Sequence, residues 1–143
     1  MSQQPYKIIE ETFDIDLKKR IYEGFSEHAL ASVGSDSNME DITFIARDSG
    51  IFLGAVHGKT FWGALHIKYL YVTPEARRNG IGKALMHRAF KKGILMGCRF
   101  AFIETMSFQA VDFYKNLGFI EEYVRSGYDK GTSFHYMRKD FHA

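Results

Sequence analysis

Leu70-Tyr71-Val72-Thr73-Pro74-Glu75-Ala76-Arg77-Arg78-Asn79-Gly80-Ile81-Gly82-Lys83-Ala84-Leu85 is the stretch on which the reading of this chain turns. The apolar, β-rich run Leu65 to Val72 reads as a strand, and Pro74 ends it by removing a ladder donor and biasing Thr73 toward extended geometry. Past the proline the period changes: Ile81, Leu85 and Ala89, with Ala84 beside them, fall on one helical stripe. A strand, a basic glycine-bearing turn and a helix therefore follow one another. The first helical turn offers unpaired N–H groups and about half a positive charge, and Gly80 and Gly82 allow close approach to the main chain. Arg77, Arg78 and Lys83 add cations. Such a turn suits an anion, and a phosphate suits it best.

Two phosphate-binding patterns are excluded by the residues themselves. A Walker A loop needs Ser or Thr after Gly-Lys, and Gly82-Lys83 is followed by Ala84; a dinucleotide fingerprint needs a third small residue where Leu85 stands. What fits is Arg77-x-x-Gly80-x-Gly82, which resembles the pyrophosphate loop of the GNAT acyltransferase superfamily. The flanks resemble it too: the strand before the loop, and a second block, Ala110-Val111-Asp112-Phe113-Tyr114-Lys115-Asn116-Leu117-Gly118-Phe119.

The rest of the chain sets limits on this reading. At 143 residues, with 45% hydrophobic and 15% aromatic side chains, it is long enough for one cored domain, expected to span 1–143. A formal charge of +2 gives no global field for nucleic acid or membrane, and the basic residues gather between 77 and 92. Cys98 is the only cysteine, so neither an internal disulfide nor a cysteine-based metal site can form, and no HExxH spacing occurs. No metal is expected. No apolar run reaches a membrane span, and the polar start lacks a signal peptide's regions, so a soluble cytoplasmic protein is the expectation.

In chain order, Tyr6 to Phe13 reads as a first strand, and Asp14 as the N-cap of a helix with its stripe at Leu17, Ile21 and Phe25. A polar turn, Gly34 to Asn38, follows. Short strands at Ile42 to Ala46 and Ile51 to His57 flank Asp48-Ser49-Gly50, and a second turn is expected at Gly58-Lys59-Thr60, ahead of the strand that ends at Pro74. A helix from about Ile81 to Met96, a central strand Phe100 to Glu104, and an amphipathic segment Phe108 to Leu117 capped by Ser107 and ended by Gly118 come next. Phe119 to Val124 and Ser133 to Arg138 make a last strand pair.

The resemblance implies the fold: an α/β (α+β) GNAT fold with a mixed, mainly antiparallel sheet of six to seven strands, helices on both faces, and central strands splayed for acetyl-CoA. It also implies the chemistry, an N-acetyltransferase moving an acetyl group from acetyl-CoA to a primary amine of a small molecule or peptide by direct attack in a ternary complex. The cofactor would lie along Leu70, Tyr71 and Val72, with Leu70 N–H facing the thioester carbonyl. Arg77, Arg78, Asn79, Gly80, Ile81, Gly82 and Lys83 would hold the diphosphate, and Phe113 and Tyr114 the far wall, with the Tyr114 hydroxyl as acid to the leaving sulfur. Where many members carry asparagine, this chain has Ser107, with Gln109 nearby. For the general base two candidates stand level: His66, four residues before Leu70 and so expected on the same strand face, and Glu104 on the adjoining strand.

The alternative from another class is a non-catalytic acyl-CoA-binding or sensing module. The amine-shaping elements, roughly 22–41 and 123–135, are generic, and the acceptor does not follow from them. Pairing of two copies through the last strands is compatible with the sequence but not demanded by it.

Overall fold

The computed structural model describes residues 5–37 and 39–142, so Met1 to Gln4, the Asn38 end of the expected polar turn, and Ala143 lie outside it. The chain divides into two compact units, Met1–Ser37 and Asn38–Ala143.

Among the described residues of the first unit the regular element is one helix, α1 (Ile15–Val33). Asp14 caps it as expected, its carboxylate accepting from Leu17 N at 2.8 Å, and Gly34 ends it at φ 75°. The strand expected over 6–13 is absent: those residues join no ladder. Their alternation is broken by the adjacent pairs Ile8-Ile9 and Glu10-Glu11, which leaves no clean apolar face to pair.

The second unit is a six-stranded sheet in the order β1-β2-β3-β4-β6-β5, with β1 (Glu40–Asp48), β2 (Ile51–Phe61), β3 (Ala64–Val72), β4 (Phe100–Met106), β5 (Ile120–Arg125) and β6 (Phe134–Asp140). β1, β2 and β3 form the expected antiparallel meander, but the second turn falls at Trp62-Gly63, beyond Gly58-Lys59-Thr60. Trp62 and Gly63 both carry positive φ, 51° and 75°, as a two-residue hairpin turn requires. Gly58 stays inside β2 because the strands crowd there: a Cβ on it would lie 2.4 Å from His66 O.

One irregularity matters for the site. Across β2 and β3 the register runs His57↔Tyr69 and then Gly58↔Ile67, so Lys68 is an extra, bulged residue. On either side of it the buried alternation changes phase. Leu65 and Ile67 face the core before the bulge, Leu70 and Val72 after it.

That core side is covered by α2 (Ile81–Leu95), which buries Leu85, Met86, Ala89, Phe90 and Gly93. Ala84, expected on the stripe, is turned outward. Fully burying a Leu or Met contributes about 1.5–3 kcal/mol, so this face holds much of the unit's stability. Gly93 lets the helix approach: its Cβ position is 3.0 Å from Leu65 Cδ2. The short α3 (Val111–Asn116) packs on the same side through Tyr114, against Phe119 at 5.8 Å between ring centroids. It is shorter than the amphipathic segment suggests, and Ser107 does not cap it. Instead Ser107 exchanges hydrogen bonds with Ser133 at the start of β6. Gly118, at φ 97°, ends it as expected.

The parallel pair β3 and β4 is joined over only three residues, Ala64↔Phe100, Leu65↔Ala101 and His66↔Phe102. Beyond His66 the two strands part.

Candidate active site

The gap between β3 and β4 exposes main-chain groups whose direction can be worked out. Thr73 N–H bonds Leu53 O at 2.9 Å, and an antiparallel ladder repeats every second residue. Tyr71 therefore turns its N–H and C=O toward β2, and Leu70 and Val72 turn theirs into the gap. Arg77 marks the same direction by donating Nε to Val72 O at 3.0 Å. The unpaired Leu70 N–H thus results from β4 leaving β3 early.

Across the gap sits the end of α2. Gly80 is its N-cap at φ 77°, with no side chain to satisfy the first turn. The first main-chain bond back to it comes from Ala84, at 3.0 Å, so the Ile81, Gly82 and Lys83 amides have no helical acceptor. Asn79 Nδ2 donates to Ala76 O at 3.3 Å, and Arg78 takes φ 67°, which curls the loop ahead of those amides. Arg77 is partly spent on holding the loop to β3. At Gly82 the space is tight: a Cβ there would sit 3.3 Å from Phe113 Cζ, and the ring would have to give by a few tenths of an ångström.

These groups line one cavity of about 550 Å³: Leu70, Tyr71, Val72, Ala76, Arg77, Arg78, Gly80, Ile81, Gly82, Lys83, Gln109, Ala110, Phe113 and Tyr114. Tyr114 is 6% exposed, and burial pushes its phenol up to about 12, so it holds its proton throughout the physiological range. Gln109 is folded back locally, its Oε1 accepting from Met106 N at 2.9 Å. Asn79 stands behind the loop, and Ser107, tied to Ser133, is not among the lining residues.

His66 and Glu104 are brought together rather than left as rivals. His66 Nε2 lies 2.7 Å from Glu104 Oε2, and the imidazole stacks on Phe102 at 4.4 Å and 7°. A carboxylate only accepts, so Nε2 donates and Nδ1 keeps the lone pair in the neutral ring. The pair is 22% and 32% exposed. It does not share a face with the Leu70 side chain, as its spacing suggested: the Lys68 bulge inverts the alternation, and His66, Phe102 and Glu104 lie opposite the α2 side. The bulge has no signature in the residues, so counting from Leu70 could not find it. Among the described residues no three metal-ligating side chains gather, and no helix is long and apolar enough to cross a membrane.

The sequence model of the acetyltransferase (GNAT) family matches residues 6–119. The chain belongs to that family. Acetyl-CoA is the cosubstrate, and the enzyme class is N-acetyltransferase. An acetyltransferase of Agrobacterium fabrum is 25% identical over 94% of this chain and 98% of its own length. Blasticidin-S acetyltransferase of Streptomyces morookaense is 30% identical over 68% of this chain and 73% of its own. The crystal structure of an Agrobacterium tumefaciens protein described as an acetyltransferase superposes with a TM-score of 0.84 at 26% identity, covering 95% of this chain and 99% of that one. Membership accounts for the splayed strands and the unclosed helix end in one stroke.

One cluster went unnoticed in the sequence. His135 Nδ1 donates to Glu121 at 2.7 Å, its Nε2 faces Ser133 Oγ at 3.1 Å, and Lys115 adds a 3.6 Å ion pair to the same carboxylate. The hydrogen bond from His135 and then the Lys115 charge hold the Glu121 carboxyl below its usual range. It fixes the start of β6 beside Ser107. Only the strand pairing, invisible in the sequence, unites these residues.

Proposed function

We propose that the chain carries an acetyl group from acetyl-CoA to a primary amine of a small molecule or peptide by direct attack in a ternary complex. We read both units as one acyltransferase domain, 1–143, a reading supported by the family match that runs from residue 6 across the unit boundary. The observation that carries the proposal is the cavity in which an unpaired Leu70 N–H, an open helix end and the Tyr114 phenol all converge.

Each group has a part in the reaction. The Ile81, Gly82 and Lys83 amides take the diphosphate, and the gap-facing groups of Leu70 and Val72 pair with the pantetheine arm as an added strand would. The amine lone pair attacks the thioester carbon, and the carbonyl oxygen gathers negative charge, to which the Leu70 N–H donates a hydrogen bond. The C–S bond breaks, the departing thiolate takes the Tyr114 proton, and the second proton shed by the acceptor nitrogen restores the phenol by way of solvent. On the opposite face of the sheet, His66 Nδ1 removes a proton from the acceptor ammonium while Glu104 supports the imidazolium. Base and acid then work from the two sides of the gap, so neither competes for the other's proton.

Amide hydrogen exchange tests the binding mode. Adding acetyl-CoA should slow exchange at Leu70, Val72 and Ile81 to Lys83. Protection confined to other parts of the chain would sink this reading.

A further inference from the structure

On the face that carries His66 and Glu104, β6 and β5 hold a group that acetyl transfer does not use. Tyr136 stands directly across from Glu104, and Tyr123 directly across from Tyr136, so all three share that face. Arg125 reaches back over them. Its Nη1 donates to the Tyr136 hydroxyl at 2.8 Å, and its guanidinium carbon lies 5.2 Å from the Tyr136 ring centroid and 6.0 Å from that of Tyr123. Among the described residues the ion pairs engage other cations, and no carboxylate meets Arg125. Two rings and the Tyr136 phenol hold this guanidinium in place and leave most of its five-donor fork unused.

The arrangement selects by charge. Aromatic rings able to cage a cationic amine are here already filled by a cation, so a second positive group on the acceptor is repelled. A planar anion meets a pre-held fork. Resting on the transfer reaction proposed above, we infer that the acceptor is an extended amino carboxylate whose amine reaches His66 and whose carboxylate lies on Arg125. His66 on β3 and Arg125 on β5 are three strand spacings apart, roughly 14 Å, and Arg125 leans back across part of that span. A free α-amino acid is too short to bridge it. An ω-amino acid or short peptide is not.

The test uses the full chain with acetyl-CoA and four acceptors, glycine, 4-aminobutyrate, 6-aminohexanoate and triglycine, each beside its carboxamide, with CoA release giving kcat and KM. The expected result is a KM for the longer carboxylates about ten-fold below that of their amides, the scale of a charge-assisted bidentate contact. R125Q should raise the carboxylate KM to the amide value with kcat kept and amide kinetics unmoved, and R125K should restore part of the difference. Equal KM values for acids and amides, a preference for glycine, or R125Q harming acids and amides alike overturns the inference. Turnover of the amides alone does so too, yet leaves acetyl transfer standing. No turnover of any acceptor overturns it as well, and if acetyl-CoA also gives no thermal shift the transfer reading falls with it.

Discussion

Tyr114 is buried and lines the cavity, and its environment sets what it can do. Burial raises its folded value to about 12, above the ordinary value of about 10. The sign follows: its contribution to stability is fully present below pH 10 and is lost as pH climbs toward 12. Tyr114→Phe should therefore leave neutral-pH stability nearly unchanged and reduce the alkaline sensitivity of the melting temperature. As the acid, its loss should lower kcat by roughly 10²-fold or more with acetyl-CoA binding kept. Unchanged turnover on a good amine would remove it from the chemistry and favour the sensing module. For the base, His66→Gln should cost kcat about 10²-fold, while Glu104→Gln, which retains a hydrogen-bond partner for Nε2, should cost less. Stopped-flow or steady-state CoA release separates the two; a larger loss at Glu104 would make the carboxylate the base. These residues were legible because spacing and motif name them singly. Their 2.7 Å contact was not, since it depends on where β3 and β4 meet.

Elements were legible where local chemistry decides them. Asp14, Pro74 and Gly118 set their boundaries where the residue types say they should. Tertiary geometry decided the rest: Gly58 suits a crowded strand for the same reason that it suits a turn, and Ser107 is drawn from helix cap to strand partner by Ser133. The Lys68 bulge is the sharpest case, because one unpaired residue moves His66 to the other side of the sheet. Deleting Lys68 should abolish turnover by placing the imidazole in the wrong layer, whereas Lys68→Ala, which keeps the extra residue, should leave turnover within about two-fold. Equal activity of both would mean that the face of His66 is immaterial. At the helix end, Gly80→Ala forces a Cβ into the left-handed region at a cost of about 1–2 kcal/mol, and should weaken acetyl-CoA binding along with stability.

At the scale of the molecule, the sheet is two halves stitched by three residue pairs. β1, β2, β3 and α2 form one, and β4, β5 and β6 the other. A sheet usually pairs its strands for their full length, so this gap forgoes main-chain hydrogen bonds that a ligand can supply. The binary pattern foretold the strands and not the parting, because the alternate apolar positions of both strands continue past the gap, Leu70 and Val72 in β3 and Ile103 in β4. The ligand's effect on unfolding follows. Intact acetyl-CoA would touch the helix end through its diphosphate and the gap through its pantetheine arm, so binding at one point prepays the ordering needed at the other. At about 100 times its Kd it should stabilise the chain by about 2.7 kcal/mol, a melting shift on the order of 10 °C. S-acetylpantetheine and 3′-phosphoadenosine 5′-diphosphate, added together unlinked at the same concentration, should give a clearly smaller shift. Differential scanning calorimetry decides the matter: an equal shift from the unlinked fragments would mean that the ligand occupies one half only, and that the gap in the sheet is not where the thioester lies.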